Sequence, residues 1–177
     1  MTRSLALLVV ALLATPTLAD SWATPTPRVF ANVWGSHGFK VLPNKDNAFA
    51  GPADAVLFQL DDKGDEKPVW KGRLVNQPHQ AFVSPNGKHV VTVDTYGRLG
   101  FKHAVVVYDD KGKAVADLAL EDLLTADEIM NKVTRSVSSR HWTRGAKFAF
   151  SDDATTFDVA LSWDRTLKLD LATGKLR

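Results

Sequence analysis

A pattern of strand, loop, strand and turn occurs twice in the same register, about 48 residues apart, and this period constrains the fold more than any other feature of the chain. Gly38-Phe39-Lys40-Val41-Leu42 is answered by Gly87-Lys88-His89-Val90-Val91. Likewise Ala55-Val56-Leu57-Phe58-Gln59-Leu60-Asp61-Asp62-Lys63-Gly64 is answered by His103-Ala104-Val105-Val106-Val107-Tyr108-Asp109-Asp110-Lys111-Gly112. A shorter third copy runs from Phe148-Ala149-Phe150-Ser151-Asp152-Asp153 to Leu169-Asp170-Leu171-Ala172-Thr173-Gly174-Lys175. The expected fold is therefore mainly β, with repeats over about 28–72, 73–120 and 141–177.

Each repeat is punctuated by turn chemistry. Ser84-Pro85-Asn86-Gly87 and Asp109-Asp110-Lys111-Gly112 place Asn, Asp and Gly where a hairpin needs positive φ. Val90 to Val93, apart from Thr92, and Ala104 to Tyr108 are apolar at consecutive positions, which predicts strands covered on both faces. In the last repeat Phe157, Val159 and Leu161 alternate with Asp158, Ala160 and Ser162, and Leu167, Leu169 and Leu171 alternate with Thr166, Lys168 and Asp170. Only one face is apolar there, and burying Asp158, Lys168 or Asp170 unpaired would cost several kcal/mol. The third repeat is thus expected to end the stack with a wet outer side.

Between the second and third repeats, 121–134 breaks the β pattern. Thr125 and Glu128 have capping-box spacing, and Ile129, Met130 and Val133 fall on one side, so one short helix is expected. Arg135 to Arg144 reads as a polar loop or edge segment.

At Phe82-Val83-Ser84-Pro85-Asn86-Gly87-Lys88, followed by Val90 to Val93 and the Asp109 to Gly112 turn, the chain resembles the blade units of TolB-type and WD-repeat-like β-propellers. Phe150-Ser151-Asp152-Asp153 is a degraded second match. Leu120-Glu121-Asp122-Leu123-Leu124 and Ser136-Val137-Ser138-Ser139-Arg140 are similar to segments of exported bacterial proteins, a likeness that carries no activity. The resemblance implies an open, partial β-propeller-like stack of antiparallel sheets, because closed propellers need about four to eight blades and three repeats cannot close a ring. A monomer is favoured, with a ring-closing dimer as the minority reading.

Residues 1–19 have the form of a secretory signal: Arg3, an apolar run from Leu5 to Leu13, and Thr17-Leu18-Ala19 before Asp20. That run is too short to cross a bilayer of about 30 Å. The expectation is an exported protein, periplasmic or extracellular, free of the membrane after cleavage, with 20–177 as one β-repeat domain. Removal of Arg3 takes one charge from a precursor of net +2, leaving a nearly neutral chain. Its basic residues are scattered among acidic ones, so no nucleic-acid footprint is present. With no cysteine there are no disulfides, thiolate metal sites or thiol nucleophiles.

Superposing the repeats sends the connections Pro43 to Asp54, Asp94 to His103 and Ser162 to Arg165 to one edge. That edge collects Tyr96, Arg98, His103, Trp163, Asp164 and Arg165. Aromatic surface beside arginine suits stacking on a sugar or bidentate binding of a carboxylate; the same residues also suit ordinary solvated loops. Arg135, Arg140, His141, Trp142 and Arg144 form a second, basic group, fit either for an acidic polymer or partner or for solvated arginines around a packed tryptophan. Asp61-Asp62-Lys63-Gly64-Asp65-Glu66 has oxygens around a turn but lacks EF-hand ligand spacing, and reads as a hairpin with no metal. No nucleophile elbow, zinc-binding His-Glu-x-x-His helix or phosphate-cradling glycine loop occurs, and no motif calls for a cofactor. His89 and His103 read as structural. The expected function is a noncatalytic binding or interaction module for a protein or envelope polymer. The alternatives are a hydrolase working near Asp94, His103 and Asp164, or a structural accessory protein.

Overall fold

The computed structural model describes residues 21–47, 49 and 51–177. The leader expected over 1–19 lies outside the described residues. Two four-stranded antiparallel meanders come first. One comprises β1 (Arg28–Ala31), β2 (His37–Leu42), β3 (Asp54–Leu60) and β4 (Glu66–Arg73); the other comprises β5 (Pro78–Val83), β6 (Val90–Thr95), β7 (Val105–Tyr108) and β8 (Ala114–Leu118). Helices α1 (Leu120–Leu123) and α2 (Ala126–Asn131) follow, then a two-stranded ribbon of β9 (Thr134–Arg135) and β10 (Arg140–His141). A three-stranded antiparallel sheet of β11 (Lys147–Phe150), β12 (Thr156–Ala160) and β13 (Thr166–Asp170) completes the described fold. The fold is mainly β.

The second meander is the middle layer. On β6 and β7, Val90, Val106 and Tyr108 pack with Phe39, Val41, Leu57 and Trp70 of the first meander. Their neighbours Val91, Val93, Val105 and Val107 point the other way, onto Phe157, Val159, Leu167 and Leu169 of the third sheet. Because successive side chains of a strand alternate between faces, a strand with apolar packing on both faces is apolar at nearly every position. That accounts for the long apolar runs of the second repeat, with the buried Thr92 of β6 as the polar exception between Val90 and Val93.

The third sheet ends in a polar face, whereas the outer side of the first meander mixes charged residues with the exposed Val29, Leu42 and Val69. On β12 and β13, Asp158 lies directly opposite Lys168 and the two form an ion pair at 2.9 Å, while Lys168 stays exposed. Asp170 is half-buried and takes the Arg177 guanidinium, with Nε at 3.1 Å. On the first meander Lys40 pairs with Glu66 at 2.9 Å and lies over the Phe58 ring. Such exposed pairs contribute only about 0–1 kcal/mol each, but the charged strip on the third sheet makes that face costly to cover with another apolar layer.

The turns are built from one repeated device. Asp61 Oδ1 accepts the amides of Lys63 and Asp65 at 3.0 and 2.9 Å. Asp109 Oδ1 accepts those of Lys111 and Lys113 at 2.9 and 2.8 Å. In the segment that invited a calcium reading, Asp61 Oδ1 is thereby committed to the backbone, Asp61 Oδ2 lies 3.3 Å from the Lys67 amine, and Glu66 pairs with Lys40. Gly112 closes the second turn at φ +77°, where an added Cβ would sit 2.7 Å from the Trp70 ring.

The insert differs from the single helix expected. Leu124, extended with ψ 147°, separates α1 from α2. The Thr125–Glu128 capping box does start α2: Glu128 donates its amide to Thr125 Oγ1 at 3.3 Å and accepts the Thr125 amide at 2.9 Å. Ile129 and Val133 are buried, but Met130 is exposed, because a helix this short turns only part of its circumference to the core. The polar stretch after it is the β9–β10 ribbon, with Arg135 opposite Arg140 and Thr134 opposite His141.

Candidate functional site

The site is organised around a buried carboxylate. Asp94, at the end of β6, has φ +60°, which breaks the strand alternation. Its Oδ1 accepts the Gly100 amide at 2.8 Å and the Trp142 indole Nε1–H at 2.9 Å. Oδ2 is buried and has no hydrogen-bond partner among the described residues. Burial pushes the Asp94 carboxyl up to about 7, the hydrogen bonds from Trp142 and Gly100 only partly offsetting it. Gly100 itself has φ +70°, and a Cβ there would overlap the Arg140 carbonyl oxygen, so the loop after β6 and strand β10 touch through backbone. The Arg140 amide donates to the Leu99 carbonyl at 2.9 Å, closing the same junction.

This junction holds up a cavity of about 540 Å³ lined by Phe49, Thr95, Arg98, Phe101, Lys102, His103 and Glu121. Arg98 and Arg140 both lie against Phe101, at 5.1 and 4.4 Å from the ring centroid. Arg140 also donates to Glu121 at 2.5 Å, a hydrogen bond that holds the Glu121 carboxyl below the usual range. His103 Nδ1 meets both oxygens of Asp117 at 2.8 and 2.9 Å. The two acids near the cavity are therefore matched by Arg140 and His103. Arg98 and Lys102 form no ion pair among the described residues, which leaves the cavity a surplus of positive charge beside an aromatic face.

Of the edge residues read from sequence, Arg98 and His103 share this cavity, and Arg140 from the second group supports its wall. The others lie elsewhere. Tyr96 is taken up by the segment preceding β1: its hydroxyl donates to the Ala23 carbonyl at 2.9 Å and its ring packs edge-on against Trp22. Trp163 and Arg165 clamp α2 instead of facing a ligand. The Trp163 indole donates to Glu128 at 3.1 Å, and Arg165 pairs with the same carboxylate. Asp164, at φ +61°, is an exposed turn residue.

Trp142 is fully buried and belongs to the core. Its role is corrected accordingly: an indole whose nitrogen must reach Asp94 cannot also present its face to solvent. The Asp94, His103 and Asp164 grouping considered for hydrolysis is not assembled by hydrogen bonds, since His103 pairs with Asp117 and Asp94 with Trp142 and Gly100. Sequence reasoning missed Asp117, Phe101, Lys102 and Glu121. The one available signal was the position of Phe101 and Lys102 inside the connection already singled out.

No family model matches the chain, and no curated protein matches it. Among solved structures, it is similar to a chain described as "Crystal structure of the eukaryotic initiation factor", at 13% identity and a TM-score of 0.48. The match covers 90% of this chain and 33% of that one, so the chain spans about a third of that protein's length.

Proposed function

We propose that the chain is an exported, noncatalytic binding module that holds carboxylate groups of an envelope polymer in the Arg98–His103 cavity. The observation that carries this reading is the surplus of positive charge on Arg98 and Lys102 beside Phe101, in a cavity of about 540 Å³. Arginine binds carboxylates through a planar fork, and an aromatic face suits a sugar ring. The cavity histidine is paired with Asp117, and the one hydroxyl of the lining, Thr95, accepts from the Asn76 amide at 2.9 Å and makes no hydrogen bond to His103, which favours binding over hydrolysis.

In this reading the scaffold is an open, partial propeller-like stack. The first strands of its three sheets support it, because β1, β5 and β11 all contribute to one groove, lined by residues including Asn32, Val33, Phe82, Phe148 and Phe150. The charged outer face of the third sheet favours a monomer over a ring-closing dimer. Export rests on the leader at 1–19.

A glycan array carrying uronic-acid and neutral oligosaccharides, probed with the mature chain and with Arg98→Ala, tests the proposal. Binding confined to the acidic glycans and lost in Arg98→Ala is expected. Equal binding to neutral glycans, or turnover of any arrayed polymer, would overturn it.

A further inference from the structure

On the other side of the Leu99–Arg140 junction lies a second cavity, of about 500 Å³, and its lining is basic. Arg135 and His141 come from the β9–β10 ribbon, Arg144 from the turn after it, and His79 from β5. The hydroxyl residues Thr134, Ser136 and Thr143 complete the polar wall, and no acidic side chain lines it. Neither Arg135 nor Arg144 forms an ion pair with a carboxylate among the described residues; Arg135 donates to the Ile129 carbonyl at 3.0 Å. We infer that this cavity binds a tetrahedral oxyanion, a phosphate or a phosphate monoester, between the Arg135 and Arg144 guanidinium groups and the two histidines.

Charge and donor chemistry both point that way. Two guanidinium groups, two imidazoles and three hydroxyl-bearing side chains form a set of donors matched to an anion with several acceptor oxygens. Gathering these groups without a counter-charge is unfavourable, and the strain registers on His79. Burial first, then the nearby Arg28 and His141 charges, depress its affinity for a proton. Its Nδ1 is buried and has no partner among the described residues. A bound dianion supplies the missing charge and favours the protonated form of His79. The groups whose fields reach His79 are Arg28 on β1 and His141 on β10, with Arg135 and Arg144 across the same cavity. The ribbon is held in place from behind, because Trp142, between the cavity residues His141 and Thr143, is anchored in the core on Asp94. The volume exceeds what a bare oxyanion needs and leaves room for the group that carries it.

This site is separate from the Arg98–His103 cavity and stands whether or not that one binds glycans. Inorganic phosphate, titrated into the mature chain at pH 6 and pH 8 while the histidine ring resonances are followed by NMR, tests it. Saturable shifts of His79 and His141, tighter at pH 6, are expected. Arg144→Ala should weaken binding about tenfold or more, since hydrogen bonds to charged groups contribute roughly 1.5–3 kcal/mol. Arg144 is exposed, so the variant keeps the fold, and Arg98→Ala should leave phosphate binding unchanged. Glycerol 3-phosphate run in parallel separates the sources: equal affinity marks a free oxyanion, and tighter binding marks the terminal phosphate of a larger molecule. Absence of saturation, equal affinity at both pH values, or wild-type affinity in Arg144→Ala would each overturn the assignment.

Discussion

The Trp142 indole donates to Asp94 Oδ1 at 2.9 Å, a bond between residues 48 positions apart that ties the end of the middle meander to the ribbon behind it. The two cavities sit on either side of this tie. The connection after β6 contributes Arg98 and His103 to one and Leu99 to the other.

Asp94 makes stability depend on pH in an unusual direction. Its carboxyl titrates near 7 in the fold against an ordinary value of 3.8, so the unfolded chain gives up the proton first as pH rises. The contribution is fully present below about 4, declines as pH climbs from 4 to 7, and is gone above 7. Asp94→Asn keeps an acceptor for Gly100 and Trp142, and asparagine tolerates positive φ. The stability difference, wild type minus Asp94→Asn, should therefore grow as pH falls from 7 to 4 in urea titrations; a flat difference would remove Asp94 as the cause. Asp94→Ala strands the Trp142 N–H in the core, which should cost about 1–3 kcal/mol, and its deficit relative to wild type should grow toward low pH with the same trend.

Gly100→Ala should cost about 2 kcal/mol or more, because alanine is strained at φ +70° and its Cβ meets backbone instead of a yielding side chain. Loss of order in β10, read by amide exchange at Arg140 and His141, should accompany it.

Glu128 supplies the opposite pH response. Burial favours its neutral form, but donors from Arg165, Thr125 and Trp163 outweigh that and hold the carboxyl at about 2. Its folded value is depressed, so its contribution is complete above about 4.5 and is lost as pH falls toward 2. Glu128→Gln should lower the melting temperature at pH 7 and flatten the acid limb of the profile. An unchanged acid limb would place that sensitivity elsewhere, for example on Asp170, held at about 2 first by Arg177.

The paired charges on the outer face of the third sheet give a test of the monomer proposed above. Replacing both Asp158 and Lys168 by valine removes the cross-strand pair and leaves an apolar strip on an open face. Gel filtration should then show concentration-dependent dimers or larger species, whereas the single Lys168→Arg variant should stay at the wild-type elution volume.

Much of the architecture was legible in the residues because it depends on local and periodic physics. The Asp61 and Asp109 turns follow from a side chain bonding to amides two and four residues ahead, and the one-sided third sheet follows from alternation along two strands. The capping box at Thr125 and Glu128 has the same local origin, although nothing local marked the break at Leu124 that makes two helices. The fate of the aromatic and charged candidates was a different matter. Arg140 and Trp142 are near neighbours in sequence, yet one lies on Phe101 beside a cavity and the other is buried on Asp94. Tyr96 is covered by Trp22, and Trp163 is turned onto Glu128. Each of these outcomes depends on a partner at least 35 residues away, the Arg140–Phe101 contact included. Period and turn chemistry alone determined that this chain is mainly β and builds antiparallel sheets. Only the packing of those sheets decided which side chains remain at the surface, since burial is set by what the neighbouring layer brings opposite a residue and not by the residue itself.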